Sequence, residues 1–184
     1  MTRLVFAMAL LVAMWIAPAS ADPIAPDGTF HEFGFGLAGT AVFGCADGCV
    51  PTVPLAEQST DAPWTFSGSA VLLITDLFNV GDRFEVFDNL VSVGVTSVVV
   101  NTGLNVCDND INCALTSGLY SQASLALGAG SHSITIDVID NALGFDGGAA
   151  VFSVSAAAVP APGTWLLLGS GLVGLGLALR LRLV

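Results

Sequence analysis

Ser133-Ile134-Thr135-Ile136-Asp137-Val138 is the stretch that decides the fold class. Apolar and polar residues alternate with a period of two, so on an extended chain Ile134, Ile136 and Val138 share one face and Ser133, Thr135 and Asp137 the other. The first face suits a core and the second suits water, and His132 stands at the entrance of the strand.

The same alternation recurs from Asp22 to Ala158 far more often than helical spacing does. It predicts strands over 29–35, 41–44, 64–75, 83–87, 90–100, 124–127, 133–139 and 149–154. Between them lie residues that accept positive φ or bond to their own backbone: Asn79-Val80-Gly81-Asp82, Asp88-Asn89, Gly128-Ala129-Gly130 and Asp146-Gly147-Gly148. A short helix is predicted over 110–119. Short strands separated by turn chemistry predict an all-β domain, an antiparallel β-sandwich or jelly-roll-like fold with one core.

The 54% hydrophobic content suits a membrane protein, yet two terminal segments supply much of the excess. The chain has no lysine, all 15 acids fall between Asp22 and Asp146, and Arg83 is the one arginine among them. A field of that sign repels phosphate backbones, so nucleic acid is excluded as a partner, while cations and neutral ligands such as glycans remain compatible. Solubility alone also accounts for the charge.

Met1-Thr2-Arg3 is a positive n-region, Leu4 to Ala17 an apolar run, and Ala19-Ser20-Ala21 a small-x-small cleavage site. Residues 1–21 therefore read as a signal peptide cleaved after Ala21 by signal peptidase on the secretion pathway. The rival is an uncleaved anchor, but the run falls short of the roughly 20 residues a span needs. At the other end Val159-Pro160-Ala161-Pro162-Gly163 is a helix-averse linker. It is followed by an uncharged apolar segment from Thr164 to Leu179 and then by Arg180-Leu181-Arg182-Leu183-Val184. As a helix this segment reaches about 24 Å against a hydrocarbon core of about 30 Å, a short span suited to a temporary stay in the membrane. The terminal arginines belong on the cytoplasmic side and Trp165 at the outer interface. Ser170, Gly174 and Ala178 form a small-xxx-small stripe, either a packing face or the ordinary composition of such spans.

Pro160-Ala161-Pro162-Gly163-Thr164-Trp165, the leucine- and glycine-rich segment and the Arg180 and Arg182 cluster together resemble the PEP-CTERM sorting tail, over residues 159–184. Ala161 stands where that family usually has glutamate. The resemblance implies recognition by an exosortase, transient anchoring in the inner membrane of a Gram-negative bacterium, removal of the tail, and delivery to the cell surface or extracellular matrix. It also implies an association with exopolysaccharide and biofilm. An ordinary single-span anchor is the competing reading. Trp64-Thr65-Phe66, the segment from Gly81 to Asp88, Cys107 with Cys113, and the segment from Gly130 to Ile136 are similar to a small exported domain that often precedes such tails, which implies no known activity.

The four cysteines form two close pairs, Cys45 with Cys49 and Cys107 with Cys113. Outside the cytoplasm they are expected as disulfides. Three connectivities exist, and locality favours the sequential one, although loop entropy gives roughly 2 kcal/mol for a small loop against about 4 for a bridge joining the pairs. Zinc is the rival, with spacings unlike its usual ribbons.

Asp108, Asp110 and Asn112 alternate as the start of a calcium loop does. Cys113 then stands where such a loop needs glycine and Leu119 where it needs glutamate, which excludes an EF-hand. Another calcium geometry would have to recruit Asp47 or Asp146; the plainer reading is a polar loop held by a disulfide, with no cofactor. His31 and His132, the only histidines, belong to no catalytic motif. Asp82, Glu85 and Asp88 near Arg83 offer carboxylates for glycoside hydrolysis, or simply a solvated strand. The leading expectation is a non-enzymatic surface or matrix protein. A glycan- or calcium-binding sandwich is its relative, with Trp64 and Tyr120 among the few aromatics for a sugar, and a secreted hydrolase is the other class.

Overall fold

The computed structural model describes residues 21–46, 48–49 and 52–157. Ala19, nearly all of the signal segment and the whole of the sorting tail, including Pro160, Pro162, Gly163, Thr164, Trp165, Arg180 and Arg182, lie outside the described residues, as does Asp47. Among the described residues no helix is long and apolar enough to cross a membrane.

Two sheets face each other. The first has the order β1 (Asp22–Pro23), β5 (Trp64–Ser67), β12 (Ser131–Asp140), β8 (Arg83–Asp88) and β9 (Val91–Val95). The second has the order β11 (Gln122–Leu127), β6 (Ala70–Asp76), β13 (Gly148–Ala156), β2 (Asp27–Phe35) and β3 (Phe43–Gly44), and β4 (Ala56–Gln58) lies parallel to β2 on the edge it shares with β3. A small ribbon pairs β7 (Phe78–Asn79) with β10 (Asn105–Asp108). The pairing is antiparallel except at β1 with β5 and β2 with β4. The all-β, antiparallel expectation holds.

The core lies where the inner faces meet. Ile134, Ile136 and Val138 of β12 are buried there, as their alternation predicts, against Phe33, Phe35, Leu72, Ile74 and Phe152 of the other sheet. Trp64 and Phe152 join the layers with ring centroids 4.6 Å apart, and Phe33 meets Phe84 edge-on at 5.4 Å. Each such side chain fully buried contributes about 1.5–3 kcal/mol, which is why two half-apolar sheets associate.

Strand 64–75 of the sequence reading is corrected to two strands in different sheets, broken at Gly68, whose φ of 98° is a conformation glycine adopts freely. The alternation conceals the break: Trp64 and Phe66 on one sheet and Ala70, Leu72 and Ile74 on the other all point into the same core. Strand 90–100 is likewise shorter. It ends at Val95 because Thr96 takes over Phe84, donating its N–H to Phe84 O and accepting Phe84 N–H on Oγ1. The chain then reaches the other sheet, where Ser97 N–H donates to Gln122 O at 2.9 Å. Of the predicted strand 41–44 only Phe43–Gly44 is β3. The residues before it cross the gap instead and pair with β12, Val42 N–H donating to Ile136 O and Val138 N–H to Thr40 O, each at 3.0 Å.

The second sheet is covered on its outer side as well. Leu77, Val80, Ile111, Ala114 and Tyr120 pack with Ala149 and Val151, so the middle of β13 is buried on both faces. Helix α1 (Ile111–Ser117) belongs to this outer layer. Asp110 caps it by accepting Cys113 N–H at 3.0 Å, and Gly118 ends it in the left-handed region. One helical turn or two is unstable alone; burial of Ile111 and Ala114 holds it.

Candidate functional site

Glu32 sits on β2 among Phe30, Phe33 and Phe35, with its side chain on the outer face of the sheet. Cys45, Cys49 and Val53, which follow β3 in the chain, lie against it, and Glu32 is fully buried. One carboxyl oxygen, Oε2, accepts Val53 N–H at 3.2 Å, and Oε1 has no partner. Glu32 O accepts both the N–H and the hydroxyl of Ser59. Burial raises the carboxyl pKa above its ordinary value, and the Val53 bond offsets part of that rise.

The Cys45–Cys49 disulfide, whose Cα atoms are 4.9 Å apart, lies beside Glu32. Glu32, Cys45 and Cys49 bring their donor atoms within 4.8 Å of one another, and among the described residues they are the one group of three His, Cys, Asp or Glu side chains that close. The sulfurs differ in access. Cys45 is 1% exposed, whereas Cys49 is partly exposed and lines a cleft of about 570 Å³ with Gly34, Phe43, Gly44, Asp61 and Gly147. Glycines form this cleft for a steric reason: a Cβ on Gly34 would fall 2.3 Å from the Phe43 ring, and one on Gly44 2.2 Å from the Thr60 backbone.

Cys107 and Cys113 form the second disulfide, so the pairing is sequential at both sites. The polar residues of the loop between them make local hydrogen bonds. Asp108, at φ 54°, exchanges hydrogen bonds with Asn105; Asp110 is engaged as the helix cap; and the Asn112 carbonyl accepts the Thr116 hydroxyl. Asp110 and Asn112 instead rim an apolar groove of about 520 Å³ between Phe30, Pro54, Leu55, Ile111 and Leu115.

The other polar candidates are separate. Asp88 bonds to His132 at 2.7 Å, Glu85 accepts the Ser92 hydroxyl at 2.6 Å, Arg83 pairs with Asp140 at 2.7 Å, and Asp82 is buried at the start of β8 accepting Ala142 N–H at 2.8 Å. These carboxylates are engaged by different partners. His31 lies against Phe152 with ring centroids 5.4 Å apart and planes tilted by 30°, its Nε2 without a partner. Trp64 and Tyr120 are buried, and Tyr120 donates its hydroxyl proton to Phe78 O, so neither offers a platform for a sugar ring.

Sequence reasoning missed Glu32 altogether. Its one signal is an acid within a strand of phenylalanines, a pattern that an exposed edge strand would share. The chain matches no family model, no curated protein and no solved structure.

Proposed function

We propose that the chain is an exported, non-enzymatic surface or matrix protein, sorted by an exosortase through residues 159–184 and contributing a disulfide-braced β-sandwich to an exopolysaccharide-associated envelope or biofilm. The observation that carries the reading is the position of Asp22. Cleavage after Ala21 leaves Asp22 first, and Asp22 opens β1, donating its N–H to Pro63 O at 3.0 Å in register with Trp64. A mature chain starting there retains every strand of the domain. Two disulfides and no free cysteine among the described residues accord with an oxidising compartment.

Intact-mass measurement of the protein from cells with and without the sorting enzyme tests the proposal. The expected species begins at Asp22 and lacks Leu166 to Val184 only where the enzyme is present. An unshortened tail in both strains would leave a plain anchor and overturn the sorting assignment.

A further inference from the structure

The cleft beside Cys49, the buried sulfur of Cys45 and the Glu32 carboxyl are adjacent and distinct in role. A nucleophile entering the cleft meets Cys49, because Cys49 lines it whereas Cys45 is 1% exposed and does not. The sulfur that would leave is therefore the shielded one. Glu32 is also fully buried with Oε1 unpartnered, and a carboxyl oxygen of Glu32 and the two sulfurs all lie within 4.8 Å of one another, a distance that a small side-chain adjustment or one bridging water closes. No such carboxyl serves the other bridge: among the described residues no His, Asp or Glu completes a group of that kind with Cys107 and Cys113.

We propose that Cys45–Cys49 is an exchange-active disulfide that takes a low-molecular-weight thiol at Cys49, with Glu32 supplying the proton to the departing Cys45 sulfur.

The incoming thiol first loses its proton to solvent. Its thiolate attacks Cys49 Sγ; a bond forms between the two sulfurs, the Cys45–Cys49 bond breaks, and its electron pair goes to Cys45 Sγ. Cys45 takes the Glu32 proton, leaving a carboxylate. A second thiolate then attacks the small-molecule sulfur of the mixed disulfide, releasing a low-molecular-weight disulfide, and the Cys49 thiolate is protonated from the cleft. Two thiols are oxidised and the bridge is reduced by two electrons. The reverse sequence uses a low-molecular-weight disulfide as oxidant and returns the proton to Glu32. This is a stoichiometric redox site, compatible with a structural role for the rest of the domain.

The surroundings of Glu32 favour its holding a proton. β13 places Val151 opposite it and β4 places Gln58, while the covering segment contributes Cys45, Cys49 and the Val53 N–H. Glu57 is in register with His31, one residue along β2, and Asp61 at the cleft rim is bonded to Gly44 N–H. Burial is the leading influence on Glu32, the Val53 N–H opposes it, and among the described residues no cationic side chain contributes.

The test treats the full chain in detergent with reduced glutathione from about pH 5 to about pH 8, quenches with acid, alkylates, and follows both bridges by peptide mass. Cys45–Cys49 should open at least about tenfold faster than Cys107–Cys113, with glutathione captured on Cys49. The rate per glutathione thiolate should fall as pH rises and Glu32 ionises, and Glu32→Gln should slow the reaction and flatten that profile without changing the rate at Cys107–Cys113. Equal rates at the two bridges, capture on Cys45, or an unchanged rate and profile in Glu32→Gln would overturn the proposal. Should Glu32→Gln misfold, the site of capture and the pH profile of the unmodified protein decide by themselves.

Discussion

His132 Nδ1 lies 2.7 Å from Asp88 Oδ2, while His132 Nε2 stands 3.0 Å from both the Gly68 and the Gly128 carbonyl oxygens. Gly68 lies between β5 and β6 and Gly128 between β11 and β12, the two corners at which the chain changes sheets at this end. Asp88 Oδ1 also accepts Ser133 N–H at 3.1 Å. The ring, stacked on Phe66 at 4.7 Å, thus bonds to acceptors at both nitrogens, which the imidazolium satisfies and either neutral tautomer satisfies only in part.

Burial draws the His132 pKa down, but the Asp88 bond and charge and the two carbonyls outweigh it, so the pKa is raised. Stability from this node is therefore complete below the ordinary histidine pKa and is lost as pH rises through the raised folded value. Asp88→Asn should cost about 1–3 kcal/mol near pH 6 and distinctly less near pH 9, measured by urea denaturation. An equal loss at both pH values would refute the charged assignment.

Asp76 and Asp82 give a second pH dependence at the far end of β6. Asp76 is fully buried with Oδ1 unpartnered, and burial, then the Asp82 charge, raises its pKa well above the ordinary value; burial pushes Asp82 up to about 6. The folded state keeps protons that the unfolded chain releases near pH 4, so stability falls as pH rises from about 4 through about 6, where Asp82 ionises, and through the raised folded value of Asp76. Asp76→Asn, which keeps an acceptor for Gly81 N–H, should stabilise the domain at neutral pH by on the order of 1–3 kcal/mol. Calorimetry from acid to neutral pH checks this; a melting temperature that climbs steadily from pH 4 to pH 7 in the unmodified protein, taken as about those limits, contradicts it.

Asp110 acts on α1 as a cap. Asp110→Ala should cost about 1 kcal/mol, with the same loss in calcium and in chelator. A loss that appears only in calcium would instead return Asp110 to the role of a metal ligand.

Gly44 admits no side chain. A Cβ there would fall 2.2 Å from the Thr60 carbonyl carbon and 2.5 Å from Asp61 N, both backbone atoms. Gly44→Ala should push the segment carrying Cys45 off β2, with a cost on the order of 1–3 kcal/mol. Hydrogen exchange should rise first at Phe43 and Gly44; unchanged protection there would show that Thr60 gives way freely.

The fold class was legible because a strand's two faces meet different solvents, so burial of one face writes period two into the residues of β12. The same rule hid the sheet boundary at Gly68, since a chain that turns over a shared core keeps its apolar residues in phase. It also overextended 90–100, where exposed Val98 and Val100 continue an apolar run that Thr96 ends by its hydrogen bonds.

By itself, then, the sequence determined an antiparallel all-β domain with its inner faces on Ile134, Ile136 and Val138, and it favoured local cysteine pairing because four and six residues of separation need no knowledge of the fold. Tertiary structure alone decided which acid is buried. Glu32 and Asp82 differ from exposed carboxylates such as Asp140 only in what another part of the chain lays over them. The proximity of Glu32 to Cys45 arises in the same way, from a segment that leaves β2, crosses to pair with β12 and returns, a path that hydrogen bonds between distant residues select and no local pattern records.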